Sequence, residues 1–429
     1  MLSHLALEHI GPATKMELSP GSRLNLLTGD NGLGKSFLLD VIWWSLTDTW
    51  PKDINPELAG GYKAVPINGQ AGKSKITFQH SRATQPTVSN YDRSKAAWSR
   101  SRGKPPKSGL VFYFFADGSV AIYDPIINTK TENPSAFVFS QADVWKNRSN
   151  DAVMQGLIID WGIWQKSADE ADKQSFDLFC QVLKQLSGDV SEVLEPGSLA
   201  TINVMDAYKM PTIRTATGQE VPIIYASSAV KKMLSIAYVL TWGWQKHKSG
   251  AEIYGGEVKD DLVILIDELE AHLHPKWQRR ILGALLTIKD LLDKPSNQSV
   301  KKPKGLQLFA CTHSPLVMAS AETYFDPTTD AWFDIDLEDN HVELVKRDFQ
   351  ILGTAEAWLK SLAFDLAITG SIEAEELIGR FDALGGDFED LSKEDALVLD
   401  QELREHLPLI NIRFVRWNKF LLSKGWIKL

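Results

Sequence analysis

The stretch that most constrains this chain is "GDNGLGKS", residues 29–36, which matches the pattern G-x-x-x-x-G-K-[S/T]. It follows the strand-like segment "RLNLLT" and precedes "SFLLDVIWWSLTD", which has apolar residues around most of a helix. Glycines at this spacing let successive backbone N–H groups turn toward one anion, and the lysine adds a positive charge. A strand, a glycine-rich loop and a helix in this order predict a phosphate-binding P-loop in an α/β domain.

This loop predicts that the chain binds a nucleotide and a metal ion. Lys35 is expected to contact the β- and γ-phosphates of ATP, and the Ser36 hydroxyl is expected to ligate Mg²⁺. The predicted ATP-binding residues are Gly29, Asp30, Asn31, Gly32, Leu33, Gly34, Lys35, Ser36 and Phe37.

A second acidic strand end is found in "DDLVILIDELEAHLHP". The five apolar residues 262–266 are typical of a buried parallel strand, whose carboxyl end is where such sites lie. Asp267, the next residue, is predicted to be the magnesium-side carboxylate. Glu268 follows directly and is placed to polarise an attacking water, which favours hydrolysis over transfer to another substrate.

Two further strand ends complete the predicted site. "LFACTHSP" ends in His313, which is expected to contact the γ-phosphate and position the water. "FVFSQADVW" ends a predicted strand in Gln141, a candidate magnesium or water ligand. A polar residue after a strand carries little information by itself, so both assignments depend on the P-loop.

The remaining pattern indicates a mixed α/β chain. Short alternating strands open it, residues 51–108 are typical of an insertion of loops and edge strands, and a helical insert is expected at about 150–197. We predict an ATPase domain at 1–345 and a helical C-terminal region at 346–429. The spacing between Lys35 and Asp267 leaves room for the helical insert but not for long coiled-coil arms.

Composition adds mainly exclusions. The formal charge of −9, from 46 basic and 55 acidic residues, does not indicate a general nucleic-acid-binding protein. Two cysteines cannot build a disulfide framework or a cysteine-rich zinc site. The sequence lacks the pattern of a signal peptide and any apolar run long enough to span a membrane, so we expect a cytoplasmic protein without a membrane partner.

The order of P-loop, glutamine strand, "DE" pair and "THSP" resembles ABC-type ATPases of the SMC and RecF kind. The chain also resembles the overcoming-lysogenization-defect class through the segments "GDNGLGKS", "DELEAHLHPKWQRR" and "THSPLV". Within that class it is most similar to the ATPase subunit of Septu-type phage-defence systems, over roughly residues 1–345. The resemblance implies a P-loop fold of ABC/SMC-head type, with a mixed sheet and an antiparallel β subdomain. It also implies a head-to-tail homodimer, or a higher oligomer, that sandwiches ATP between two copies.

In such a dimer the P-loop of one copy faces a signature motif of the other. The resemblance places that motif in "YASSAVKKML", with Ser227 at the serine position and Lys231 as a nearby charge. A serine at a helix N-terminus, with its neighbouring amides, can reach the γ-phosphate. Ser228 and Ala229 replace the usual two glycines, so we expect slow turnover.

Three other features are open to a second interpretation. Glu270, His272 and His274 alternate as metal ligands would, but the resemblance puts this loop beside the nucleotide at the dimer interface. Residues 92–107 hold six basic residues and a tryptophan, which suits either phosphate contacts or a solvated loop. Asp334 and Asp336 resemble paired nuclease acids, yet nothing after them suggests the rest of a nuclease domain, so we interpret them as part of a core strand.

The sequence therefore predicts an ATP-hydrolysing dimeric switch that controls a separate effector. The resemblance implies an HNH-type nuclease as that effector and a role in anti-phage defence. Three alternatives stay open: a RecF-like repair ATPase acting directly on DNA, a nucleotide-gated scaffold with little hydrolysis, and a self-contained nuclease.

Overall fold

The computed structural model describes residues 1–99, 109–128, 136–146, 153–188, 193–204, 208–215, 217–255, 258, 261–293, 305–338, 341–361, 363–364, 366, 371–385, 388, 391–407 and 413–427. Within this part the strands are β1 (Leu2–Ile10), β2 (Ala13–Leu18), β3 (Leu24–Gly29), β4 (Lys75–His80), β5 (Thr87–Asp92), β6 (Ala97–Trp98), β7 (Leu110–Phe114), β8 (Val120–Tyr123), β9 (Phe137–Phe139), β10 (Glu195–Pro196), β11 (Thr212–Arg214), β12 (Glu220–Pro222), β13 (Leu262–Ile266), β14 (Leu306–Cys311), β15 (Ala331–Glu338) and β16 (His341–Arg347).

The helices of the described part are α1 (Lys35–Thr47), α2 (Pro51–Ile54), α3 (Gln141–Lys146), α4 (Leu157–Lys166), α5 (Glu170–Ser187), α6 (Ser228–Tyr254), α7 (Pro275–Leu286), α8 (Ile288–Leu292), α9 (Pro315–Ala321), α10 (Ala355–Leu359), α11 (Ile372–Ala383), α12 (Lys393–His406) and α13 (Arg413–Ser423). Among them, none combines the length and apolar character needed to cross a membrane. The chain divides into two compact units, Met1–Ala355 and Glu356–Leu429.

The larger unit is built on an eight-stranded sheet with the order β16-β15-β3-β14-β13-β7-β8-β9. The five strands from β15 to β7 run parallel to their neighbours, while β16, β8 and β9 add antiparallel edges. All five residues of β13 are buried, as expected for a parallel strand covered on both faces. Parallel strands bring their carboxyl ends to one edge, so the residues that follow β3, β14 and β13 meet there.

A second, five-stranded antiparallel sheet has the order β2-β1-β4-β5-β6. Three of its strands come from residues 51–108, and β4 pairs with β1 in the interior of the sheet. An edge position was expected for strands of this segment; the structure differs because "KITFQH" buries Ile76 and Phe78 against the core. This sheet is the antiparallel β subdomain expected from the resemblance.

Helix α1 lies between the two sheets and contributes to their shared core, which is why its apolar residues cover most of its surface. Buried residues of this core come from α1, from β1 and β4 of one sheet, and from β14 and β15 of the other. A helix that is apolar all round is stable only when it is covered on all sides. The P-loop therefore leads into the most enclosed helix of the fold.

The remaining elements complete the predicted architecture. Helices α4 and α5 form the helical insert, and α5 packs on α6 and α7. In the smaller unit, α11, α12 and α13 enclose an aromatic core around Trp417, Phe381 and Phe388. The mixed sheet, the antiparallel subdomain, the helical insert and the helical C-terminal region confirm the predicted P-loop fold class.

Candidate active site

The P-loop joins β3 to α1 through three glycines with left-handed backbone conformations. Gly29, Gly32 and Gly34 have φ values of 127°, 81° and 106°. A Cβ added at Gly29 would lie 2.1 Å from the carbonyl oxygen of Ile335, whereas one added at Gly32 would meet nothing within 4 Å. Gly29 is therefore required by packing against β15, and Gly32 leaves one side of the loop open.

The loop residues form a shallow surface with a buried lysine behind it. Asp30, Asn31, Gly32 and Ser36 are exposed, and Leu33, Gly34 and Phe37 are half-buried. Helix α1 has no acidic residue in its first turn, so its N-terminal N–H groups and partial positive charge face an anion without competition.

Lys35 is folded back onto its own loop. Its ammonium donates to the carbonyl oxygens of Gly29 at 2.8 Å and Asp30 at 2.7 Å, and the residue is 6% exposed. Burial lowers the pKa of Lys35, while the negative groups around it, among them Asp267 and Glu268, act in the opposite direction. The ammonium thus has two weak carbonyl partners that phosphate oxygens can replace.

Asp267 lies where the sequence predicts the magnesium-side carboxylate. It directly follows β13, its N–H donates to the Phe114 carbonyl of β7 at 2.9 Å, and it is 6% exposed. Asp267 and Ser36 line one cavity of about 540 Å³. A carboxylate and a hydroxyl are oxygen ligands of the kind that Mg²⁺ takes, with water and phosphate filling the other positions. The residues present therefore fit a magnesium ion.

Asp40 lines the same cavity one helical turn after Ser36. The Tyr113 hydroxyl donates to its Oδ1 at 3.0 Å. Burial, with a further contribution from the charge of Asp267, raises the pKa of Asp40 to about 8. A group of this pKa is largely protonated at neutral pH, so Asp40 is a neutral acid beside the predicted metal site.

Glu268 has an unusual backbone that two side chains hold, since its N–H donates to Asp267 Oδ1 at 3.1 Å and its carbonyl oxygen accepts from Lys232. Its φ is 45°, in the left-handed region that a non-glycine residue occupies at a cost. Its side chain is exposed, and its carbonyl oxygen accepts a 2.7 Å hydrogen bond from the Lys232 ammonium. Burial lowers the pKa of Lys232 to about 8, against the attraction of Glu270, Glu268 and Asp267. Lys232 of α6 is thus tied to the loop that carries the predicted catalytic glutamate.

Glu270 joins this loop to His313. Its Oε2 accepts from the Thr312 hydroxyl and its Oε1 accepts from the His313 backbone N–H, both at 2.6 Å. Burial lowers the pKa of His313, and the positive charge of Lys35 lowers it further, so the imidazole is neutral at pH 7. The structure therefore shows that Glu270 holds His313. From the sequence, Glu270 was considered only as one of three alternating metal ligands.

Gln141 does not lie at a strand end, where the sequence predicts it. Strand β9 ends at Phe139, and Gln141 begins α3, because the Ser140 hydroxyl oxygen caps that helix by accepting from the Asp143 N–H at 3.3 Å and also donates to the Asp143 carboxylate at 2.7 Å. Gln141 lies against the β7–β8 turn, where a Cβ on Gly118 would come within 2.9 Å of its Nε2. It lines a second cavity, of about 300 Å³, together with Asp267.

The predicted signature residues lie at the start of α6. The Ser227 hydroxyl caps this helix by accepting from the Val230 N–H at 3.3 Å. Ser227 and Ser228 are exposed, whereas Ala229 is buried. Lys231 lines the cavity that holds Gln141, with its ammonium 5.9 Å from the centre of the Trp145 ring.

The other features of the sequence have these placements. Among the described residues, no group of three or more His, Cys, Asp or Glu residues could hold a metal ion, and His274 instead caps α7 by accepting from the Lys276 N–H. Of the basic segment 92–107, residues 100–107 lie outside the described part. Asp334 is buried in β15 and accepts from the Thr28 hydroxyl at 2.8 Å, as expected for a core strand.

Three side chains near the site were missed by sequence reasoning: Asp40, Tyr113 and Lys232. Asp40 carried a signal, since it is the one acid in an otherwise apolar helix that follows the P-loop. Tyr113 and Lys232 sit in segments whose patterns describe a strand and a helix start, and nothing local marks their contacts with Asp40 and Glu268.

Comparison with known proteins gives a family and several relatives. Residues 24–319, more than half of the chain, match the family described as "AAA domain, putative AbiEii toxin, Type IV TA system". The chain is 23% identical over 330 residues to the Septu protein PtuA of Bacillus thuringiensis, covering 75% of this chain and 74% of that protein. This match confirms the resemblance to Septu ATPase subunits.

Solved structures of SMC heads are also similar. The SMC head domain from Thermotoga maritima has a TM-score of 0.38 at 13% identity, covering 81% of this chain and 99% of that chain. An SMC head domain bound to the C-terminal domain of ScpA, derived from Pyrococcus furiosus, has a TM-score of 0.37 at 11% identity, covering 81% and 96%.

Proposed function

Because the chain belongs to the AAA-domain family matched by residues 24–319, we propose that it is an ATPase that binds ATP and Mg²⁺ at the β3–α1 loop and hydrolyses ATP slowly. The observation that carries the proposal is the meeting of Ser36 and Asp267 in one cavity, with Lys35 buried behind them. A glycine-rich loop alone would bind an anion. The acidic end of a neighbouring parallel strand adds the carboxylate that a magnesium nucleotide requires.

We propose the following binding roles. The N-terminal amides of α1 contact the phosphates, and Lys35 exchanges the carbonyls of Gly29 and Asp30 for phosphate oxygens. Ser36 and Asp267 would hold the magnesium ion, and Gln141 would serve as a further ligand or water contact. Magnesium, when bound, neutralises charge on the β- and γ-phosphates.

We assign hydrolysis to Glu268 and His313, which follow the ends of β13 and β14. Glu268 is exposed toward solvent, as a residue that orients an attacking water must be, and its backbone is fixed by Lys232. His313 is held through Glu270, and burial lowers its pKa, which favours a neutral imidazole that can donate to the γ-phosphate from one nitrogen and accept from a water at the other.

A second copy of the chain is proposed to complete the site. The P-loop is open at Gly32, and Ser227 is exposed and absent from the residues that line either cavity of its own chain. Both features suit a head-to-tail dimer in which Ser227 of one copy reaches the nucleotide of the other. The relative PtuA is named as a Septu protein, and by that likeness we propose that the dimer controls a separate effector, an HNH-type nuclease, in anti-phage defence.

Two measurements test the ATPase. Phosphate release should require Mg²⁺ and should disappear in Lys35→Ala and Glu268→Gln. Glu268→Gln should still bind ATP and should shift to a dimer with ATP in size-exclusion chromatography with light scattering. A Glu268→Gln protein with wild-type turnover would contradict the assigned role.

A phage-infection assay tests the defence role. Cells that carry the chain with its neighbouring genes should be protected against phage, and the protection should be lost in Glu268→Gln.

A nucleotide-gated scaffold is the second candidate, favoured by Ser228 and Ala229 at the start of α6. Their side chains, in place of glycines, limit how closely the backbone approaches a nucleotide on another copy. Under this reading ATP joins two copies and is scarcely hydrolysed. ATP-dependent dimers with turnover that is the same in wild type and Glu268→Gln would favour the scaffold over the ATPase.

A further inference from the structure

The smaller unit has apolar side chains on the outside of two helices that already bury one face. The inner faces of α12 and α13 supply the core of this unit through Ala396, Leu399, Leu403, Phe414, Trp417 and Leu421. A surface helix with a buried inner face is normally polar on its outer face. The outer faces here instead expose Leu397, Val398, Val415 and Leu422, of which Val398 is 57% and Val415 69% exposed.

The outer face of α12 is acidic at both ends. It consists of Glu394, Leu397, Val398, Gln401 and Glu405, which are all exposed and recur every three or four residues, so they form one stripe. We call this stripe the α12 outer face. Glu405 accepts a 2.9 Å hydrogen bond from the Gln401 amide. Within the described part of the chain, neither Glu394 nor Glu405 forms an ion pair.

The outer face of α13 is basic. Val415, Arg416, Lys419 and Leu422 are exposed and lie within two turns on one side of the helix, and we call them the α13 outer face. The sequence of α13 contains no acidic residue. Among the residues that the structure describes, Arg416 and Lys419 have no acidic partner, so both cations are available to another molecule.

The two outer faces adjoin at the surface of the unit. Helices α12 and α13 lie side by side, since the Trp417 Nε1–H donates to Asp400 at 3.1 Å. Nearer the surface, the Arg404 guanidinium donates to the Asn418 amide oxygen at 2.9 Å. The unit therefore presents an acidic and a basic stripe next to each other, each with apolar side chains.

This pattern fits a second copy of the same unit. The α13 outer face is ~10 Å long at 1.5 Å per residue and fits within the ~16 Å between Glu394 and Glu405 of another copy. A two-fold axis that brings α13 of one copy onto α12 of the other also brings the reverse pair together. An anionic membrane would match the basic stripe alone and would repel the acidic one.

The apolar residues alone would not carry this conclusion, because single exposed apolar side chains are ordinary. The evidence is their recurrence at helical spacing on both faces, together with opposite charges that have no ion-pair partner in their own chain. Both halves of the complementary pair are present in one sequence, so no other protein is needed to supply either half.

We propose that the smaller unit joins two copies of the chain, with the α13 outer face of each copy packed on the α12 outer face of the other. The contact uses no residue of the P-loop site, so it requires no nucleotide and does not rest on the function proposed above. Two helix pairs form an interface at the lower end of the specific range, ~1,200 Å² in total. We therefore expect a Kd on the order of 10 µM, with dissociation on dilution.

The test is sedimentation equilibrium of the full chain from about 1 to about 100 µM, without nucleotide and with EDTA. Wild type and Lys35→Ala should both show a monomer–dimer equilibrium. Arg416→Glu with Lys419→Glu, and separately Glu394→Lys with Glu405→Lys, should raise Kd at least about ten-fold, because both contacts then bring like charges together.

A mixture of the two double variants gives the sharpest result. In the mixed dimer, the reversed α13 of one chain faces the reversed α12 of the other, and the two unchanged faces also meet. Both contacts are attractive again, so the mixture should form dimers with a Kd close to that of wild type. Lys173→Glu with Lys184→Glu, at exposed positions of α5, makes a matched charge change and should dimerise as wild type does.

A monomeric wild type at about 100 µM would overturn the proposal, as would a mixture of folded variants that fails to recover dimers. Growth beyond the dimer with concentration would contradict the two-fold arrangement. Monomeric wild type that binds phosphatidylglycerol vesicles through Arg416 and Lys419 would assign the basic face to a membrane instead.

Circular dichroism and melting temperature check that the variants are folded. Glu394 lies in the first turn of α12, where a positive charge is unfavourable. If that double variant melts early, Glu405→Lys alone replaces it, and the same weakening and recovery in the mixture are expected.

Discussion

The ammonium of Lys232 donates a 2.7 Å hydrogen bond to the carbonyl oxygen of Glu268. This contact links α6, which the predicted signature Ser227 caps, to the residue predicted to activate water. Glu268 has a φ of 45°, and an unfavourable backbone conformation persists only when its surroundings hold it. Lys232 is therefore expected to act as a positioning residue within its own chain.

Replacing Lys232 with methionine should lower kcat by about ten-fold, which corresponds to about 1.4 kcal/mol in the barrier and to the loss of one charged hydrogen bond. The affinity for ATP should change little because Lys232 does not contact the P-loop. Steady-state kinetics and nucleotide titration separate the two effects. Lys246→Met, at an exposed position of the same helix, should leave kcat unchanged; an equal loss in both variants would point to helix α6 in general.

Glu270→Ala should reduce kcat by more than ten-fold, because the His313 backbone N–H and the Thr312 hydroxyl lose their shared acceptor. Glu270→Gln should recover most of the activity, since the amide oxygen can accept from His313 while the amide nitrogen donates to Thr312. Turnover of the two variants at saturating ATP checks this. A glutamine variant as inactive as the alanine variant would mean that the negative charge itself is needed.

Asp40→Asn should change the pH dependence of stability. The pKa of Asp40 is raised to about 8 in the folded state from an ordinary value of 3.8. The folded protein therefore keeps a proton that the unfolded chain releases, and stability from this group is lost as pH rises from about 4 to 8. Asparagine has no such loss, so the stability of the variant relative to wild type should increase by up to about 1.4 kcal/mol per pH unit between pH 5 and 8.

Urea unfolding of both proteins at several pH values measures this difference, because titrating groups that do not interact with Asp40 contribute equally to the two. A difference that is flat over this range would show that Asp40 is ionised in the folded protein.

Two P-loop glycines should respond differently to alanine. Gly29→Ala places a Cβ 2.1 Å from a backbone oxygen of β15, and should destabilise the fold by about 3 kcal/mol or more. Gly32→Ala meets no neighbour within 4 Å and should cost about 1 kcal/mol for its left-handed φ. Thermal unfolding measures both, and similar melting temperatures would contradict the role of Ile335 in fixing the loop.

The sequence predicts those parts of the site that depend on one segment. The P-loop with its strand and helix, and the buried strand before Asp267, follow from local spacing and periodicity. The same holds for β15, which matches the core strand predicted to carry Asp334 and Asp336. These elements are determined by residues close in the chain, where alternation and glycine placement are informative.

Contacts between distant segments could not be predicted. Lys232 meets Glu268 and Tyr113 meets Asp40 only after the sheet order is known. The position of β4 inside the antiparallel sheet likewise depends on pairing with β1 across more than sixty residues of chain. Gln141 lies in a helix and not at the predicted strand end, because Ser140 caps that helix through a hydrogen bond that sequence periodicity does not reveal.

Helix α1 is enclosed by both sheets, and this has a mechanical consequence. Residues with such complete cover cannot tilt without opening cavities in close-packed surroundings. The proposed phosphate site therefore lies at the start of a helix that resists displacement. The loop from Glu268 to His274 differs from this helix, because Glu268 and His272 both have left-handed backbones. Such conformations persist only while neighbouring residues hold them.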